Sequence, residues 1–103
     1  MEIDFSQGMK NFDGTVATDR EKPLTLGAVS TEALLAVFQD EQSLPGEEKA
    51  KRYELAMRIL KGGRLELSVE EAAELKRLIG KAFAPLIVGQ AFRMIEGKTE
   101  GQP

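Results

Sequence analysis

The chain has 103 residues and a formal net charge of −3, and 42% of its residues are hydrophobic. That composition fits one globular domain and excludes a disordered chain. Cysteine and histidine are both absent, which removes disulfides, thiolate metal sites and the side chain that titrates nearest neutral pH.

The chain opens on "MEIDFS", which alternates Ile3 and Phe5 with Glu2 and Asp4, the period of a half-buried strand. In "NFDGTVA" the Asp13-Gly14 pair tolerates the positive φ of a tight turn, so Phe12 and Val16 are expected to flank a short hairpin. "TDREKP" reads as a polar loop closed by Pro23. The same region mixes Asn, Asp and Gly as a calcium loop does, but with Gly14 in the sixth position the twelfth is Arg20, where an EF-hand needs Glu.

"LTLGAVSTEALLAVF" predicts a helix near 25–39, capped by Thr25 or by Ser30. It is apolar on most sides, which predicts burial. In "QDEQSLPGEE", Asp40 and Glu41 read as a solvated loop, Ser43 can cap the next helix, and Pro45 suits a first turn. A helix near 45–61 places Ala50, Tyr53, Met57 and Leu60 on one stripe, widened by Leu55 and Ile59. Glu47–Lys51, Glu48–Arg52 and Glu54–Arg58 are spaced to pair within it. Gly62 suits the left-handed position that ends it.

"RLELS" is one more strand or an extended linker. Ser68 and Glu71 form a capping box at the start of a helix near 69–83, with Val69, Ala72, Leu75, Ile79, Ala82 and Phe83 at helical spacing. Glu70 and Glu74 share a face, where paired acids could hold a proton or a cation. Acids in a first turn also favour the helix dipole, the simpler reading. Pro85 starts a last helix near 85–96, stopped by Gly97.

Residues 82 to 92, "AFAPLIVGQAF", hold no charge in a chain that is 30% charged. The run is far shorter than the ~20 apolar residues a bilayer requires. Leu86, Ile87, Val88, Ala91, Phe92 and Ile95 nearly surround the last helix, so it is either the centre of the core or partly covered by a second chain. Gly80 and Gly89 lie inside helices, where close backbone approach would be a reason to keep them.

Charge divides along the chain. Residues 1–40 carry seven acids and three bases (−4), and residues 41–103 carry ten acids and eleven bases (+1). Lys49, Lys51, Arg52 and Arg58 form the one basic stretch that nucleic acid could use. No aromatic residues interleave with them, and the isoelectric point near 5.0 argues against a DNA footprint. No phosphate-binding glycine pattern occurs, and no base is at hand to activate a serine.

Three segments in order, "MEIDFSQ…FDGT", "LPGEEKAKRYELAMRI" and "LIGKAFAPLIVGQAFRMIEG", resemble short proteins encoded by tailed bacteriophages and prophages, a group with no assigned function. The resemblance spans residues 2 to 97 and implies a phage origin and an assembly or regulatory role. It brings no catalytic motif.

The sequence therefore predicts an α+β fold: an N-terminal β-hairpin packed on a bundle of about four helices. Residues 1–97 form one domain and residues 98–103 a disordered tail. The expected role is a non-enzymatic, cytoplasmic interaction factor with no cofactor, metal, membrane or small-molecule substrate. Its partner is a protein or a second copy, met through Ile87, Phe92 and Ile95. The alternative is a nucleic-acid-binding regulator using Lys49, Lys51, Arg52 and Arg58.

Overall fold

The structure, a computed structural model, describes residues 1–97; the tail expected over 98–103 lies outside the described residues. Strand β1 (Glu2–Asp4) is followed by the two-residue strands β2 (Thr18–Asp19) and β3 (Lys22–Pro23). Then come α1 (Leu26–Leu35), a 3₁₀ turn (Gln39–Glu41), α2 (Gly46–Leu60), β4 (Arg64–Glu66), α3 (Val69–Ala82) and α4 (Pro85–Ile95). This is the expected α+β fold of four helices with an N-terminal antiparallel sheet packed on them.

The sheet pairing differs from the expected hairpin. β1 pairs with β4, Ile3 opposite Leu65, which settles "RLELS" as a strand. Asp13-Gly14 does make a turn: the Asn11 N–H donates to Thr15 O at 2.8 Å, and Gly14 has φ +91°. The flanking pair is Lys10 and Val16, which leaves Phe12 inside the loop. "TDREKP" is a second hairpin, β2 with β3, turning at Arg20 and Glu21 with positive φ at both. Charged residues without glycine hide such a turn, since sequence signals rest on Asn and Gly.

The helix ends follow local chemistry. The Thr25 hydroxyl, and not that of Ser30, caps α1 by accepting from the Ala28 N–H at 3.1 Å. α2 starts after Pro45 with no side-chain cap, so Ser43 is not used. The Ser68–Glu71 capping box is complete, both bonds lying between 2.9 and 3.0 Å. Gly62 and Gly63 take φ +82° and +74° after α2.

Buried side chains of every helix join Ile3, Phe5, Met9 and Leu67 in one cluster. The helix at its centre is α1, which packs against α2, α3 and α4. α2 turns a different face inward from the one its spacing favours. Arg52, Leu55, Ala56 and Ile59 are buried, and Tyr53, Met57 and Leu60 are exposed. On α3, Leu78 joins Ala72, Leu75 and Ile79 inside, and Val69 lies outside. Among the described residues no helix is long and apolar enough to cross a membrane.

Candidate functional site

The sequence placed the partner surface on Ile87, Phe92 and Ile95. The structure puts Ile95 at 2% exposure inside the core, so it is no surface contact. Ile87 is half-buried and packed on the same cluster. The Phe92 ring is half-buried beneath the Lys76 ammonium, 5.3 Å from its centroid, and Lys76 also pairs with Glu96 at 2.9 Å. These three residues mark the inward side of α4. The buried residues of that helix are Ala91 and Ile95. α4 is an outer helix with one covered face, and not the enclosed centre of the molecule.

Its opposite stripe is Leu86, Gly89, Gln90 and Arg93, at the i, i+3, i+4, i+7 spacing of one helical face. This stripe, with Gln7, Gly8, Lys10 and Phe12, lines a groove of about 690 Å³. Phe12 is 95% exposed and Leu86 42%. Gly89 gives room here without close backbone approach: a Cβ on it would meet nothing within 4 Å, and one on Gly80 would meet only the Phe92 Cζ, at 3.9 Å.

The wall opposite α4 is an extended segment, residues 7–11, whose hydrogen bonds alternate in direction. On its inner side the Gln7 C=O accepts from Leu26 N–H, the Met9 N–H donates to Leu24 O, the Met9 C=O accepts from Ala17 N–H, and the Asn11 N–H donates to Thr15 O. The intervening residues, Gly8 and Lys10, therefore direct their own N–H and C=O to the other side, toward α4. At Lys10 the Gln90 carboxamide meets both: its Oε1 accepts from Lys10 N–H at 2.8 Å, and its Nε2 donates to Lys10 O at 2.9 Å. At Gly8 no hydrogen bond takes either group among the described residues.

The basic candidates separate. Arg52 is buried, and its guanidinium grips Glu41 and reaches Glu74 at 3.3 Å. Arg58 spans to Glu71 at 2.8 Å, and Lys51 pairs with Glu48 at 3.4 Å. The pairing expected within α2 thus runs largely to the 3₁₀ turn and to α3, and Lys49, Lys51, Arg52 and Arg58 do not form one open patch.

A second cleft, of about 650 Å³, lies between α2 and α3. Glu71 and Glu74 on its wall do not share a proton. The Ser68 backbone N–H, then Arg58, hold the Glu71 carboxyl below its usual range, and Arg77, then Arg52, do so for Glu74. Glu41, expected to be solvated loop, is the hub of this network, with Arg77 at 3.4 Å and Lys81 at 3.5 Å besides Arg52. These charges already have partners, so the groove beside α4, with its open backbone, is the better site. Among the described residues no group of three acids could hold a metal ion.

Sequence reasoning missed this groove because its determinants are a backbone edge and a neutral Gln. The only written signal was Gly89-Gln90 inside an uncharged run. No protein-family model matches the chain, and neither a curated protein nor a solved structure is similar to it.

Proposed function

We propose that this chain is a non-catalytic protein–protein interaction factor, of phage origin and acting in the cytoplasm of the host cell, that receives a protein partner in the groove between α4 and residues 7–12. One observation carries this reading. The groove combines exposed apolar side chains, Phe12 and Leu86, with a backbone edge left unpaired at Gly8. Apolar anchors beside unsatisfied backbone groups are what protein recognition uses.

The lack of His and Cys supports a role without catalysis. The resemblance to tailed-phage proteins supports an assembly or accessory task. Leu86 and Phe12 replace Ile95 as the proposed anchors, because an anchor must reach solvent before it can be covered.

The test compares the wild type with a Phe12→Glu/Leu86→Glu variant whose circular dichroism is unchanged. Any protein retained by the wild type is purified and titrated against both forms by calorimetry. At least tenfold weaker binding to the variant is expected, the equivalent of about 1.4 kcal/mol. Equal binding to both forms overturns the groove as the site.

A further inference from the structure

We propose that the occupant of the groove is an extended peptide segment of the partner, which adds as an antiparallel strand at Gly8 and sets an acidic side chain on Arg93. This rests on the docking reading above and names the partner's form. The argument begins with Gln90. Its carboxamide carries one donor and one acceptor, as a peptide group does, and it engages both outward groups of Lys10 at 2.8 and 2.9 Å. That two-bond exchange is the pattern of a hydrogen-bonded antiparallel pair. The fold thus already shows an amide seated on this edge, supplied by a side chain.

Two residues upstream, roughly 7 Å along the segment at strand rise, Gly8 presents the same pair of groups with nothing bound. Gly8 has no side chain, and a Cβ built there would touch nothing within 4 Å, so approach to its backbone is unobstructed. An edge left in this state recruits another strand. A helix would leave the edge unused, because its backbone groups are already bonded internally. An added strand uses it and lays alternate side chains toward Leu86 and Gly89 on α4.

Charge sets the sign of the partner. Arg93 lines the groove, is exposed, and makes no ion pair among the described residues. A carboxylate on the added strand supplies its counter-charge.

The test is an NMR titration of the ¹⁵N-labelled chain with the amidated peptide acetyl-Val-Glu-Val-Glu-Val. Two further forms carry N-methyl groups on alternate nitrogens, in opposite phases, and a third has Lys for Glu. The expected result is shifts at the Gly8 and Leu86 amides. One methylation phase should weaken binding about tenfold through the lost hydrogen bonds, with the other phase nearly neutral, since a strand pairs through one edge. The Lys peptide should bind more weakly, and Arg93→Glu should reverse that preference.

Equal binding by both methylated forms, or by Glu and Lys peptides, overturns the proposal. So does an absence of shifts in the groove, or concentration-dependent dimerisation through the same edge, which would make the occupant a second copy. In each case, if the Phe12→Glu/Leu86→Glu variant still loses the partner, only the strand-addition proposal falls. If that variant keeps the partner, the groove reading falls as well.

Discussion

Arg52 on α2 and Glu41 in the 3₁₀ turn meet in two parallel bonds, Nη1 to Oε1 at 2.7 Å and Nη2 to Oε2 at 2.9 Å. Their side chains are 8% and 13% exposed. The pair ties the connection after α1 to the second helix. Glu74 and Arg77 extend it to α3, and Lys81 closes it, bonding Asp40 at 2.8 Å with its ammonium 4.5 Å from the Phe38 ring centroid. Forked carboxylate–guanidinium geometry of this kind is the strong form of the ion pair.

The network makes stability depend on acid. The Arg52 guanidinium, helped by Lys81 and Arg77, holds the Glu41 carboxyl at about 2, against 4.5 for an ordinary Glu. A folded-state pKa below the unfolded one contributes stability above the unfolded value, and that stability is lost as pH falls through the folded value. The urea midpoint should therefore hold steady from pH 7 to about 5 and fall as pH drops toward 2, and Glu41→Gln should flatten that fall. An equal midpoint for the wild type at pH 7 and pH 3 would contradict the assignment.

The two partners should respond unequally to substitution. Removing the Glu41 charge leaves the buried Arg52 with Glu74 alone, at 3.3 Å, while its Nε is already without a partner. Replacing Arg52 with Met keeps the buried stem volume, and Glu41 and Glu74 still have Arg77. Apolar replacement of a buried charge is often close to neutral, so Arg52→Met should change stability by no more than about 1 kcal/mol. Glu41→Gln should lower the urea midpoint at pH 7 by clearly more. The reverse order would mean that Arg52 acts mainly as a charge.

Ser30 offers a gain. It lies in the interior of α1 at 0% exposure, and its hydroxyl has no hydrogen-bond partner. A desolvated hydroxyl without a bond is a standing cost, and Ala is the better helix former. Ser30→Ala should raise unfolding stability by about 1 kcal/mol. A loss on thermal denaturation would show that the hydroxyl is bonded in solution.

Two glycines within helices should behave oppositely. On α3, Gly80 has room for a methyl group in ordinary contact with Phe92, so Gly80→Ala should stabilise by about 0.5–1 kcal/mol. On α1, a Cβ at Gly27 would stand 3.1 Å from the Phe5 carbonyl oxygen, which already accepts the Gly27 N–H at 2.9 Å. That neighbour is backbone and cannot swing aside. Gly27→Ala should destabilise by about 1 kcal/mol. The same sign at both positions in denaturant titrations would refute the packing described for Phe5 on α1.

How far the sequence could be read depended on the type of signal. Ser68–Glu71, Gly62 and Pro85 act within four residues, and each was legible. The face of α2 was not, because two apolar stripes overlap on it. The choice was made by Glu41 and Glu74, which give Arg52 partners inside. The outward stripe of α4 was hidden for a related reason. An uncharged run suggests enclosure on all sides, but Leu86, Gly89 and Gln90 are neutral and still face the groove. Gly8 and Lys10 form the site through backbone groups, which side-chain patterns do not encode.

The turn between β2 and β3 joins this chemistry to the groove. Asp19 pairs with Lys22, leaving Arg20 and Glu21 as the two loop residues, at φ +53° and +70°. A two-residue loop matched to strand twist needs positive φ at both positions, which Asn-Gly supplies with little strain. Side chains such as Arg and Glu are strained there by roughly 1 kcal/mol each. Arg20→Asn/Glu21→Gly should therefore raise stability by about 1 kcal/mol, once the extra freedom of glycine in the unfolded chain is set against the relief. The effect should travel. Ala17 and Leu24, which flank this hairpin, bond to Met9 on the inner side of the segment that presents Gly8. Tightening the turn should slow hydrogen exchange at the Met9 and Leu24 amides together. If the midpoint rises but Met9 exchange stays unchanged, the hairpin and the groove wall open independently, and the edge at Gly8 is held by Gln90 instead.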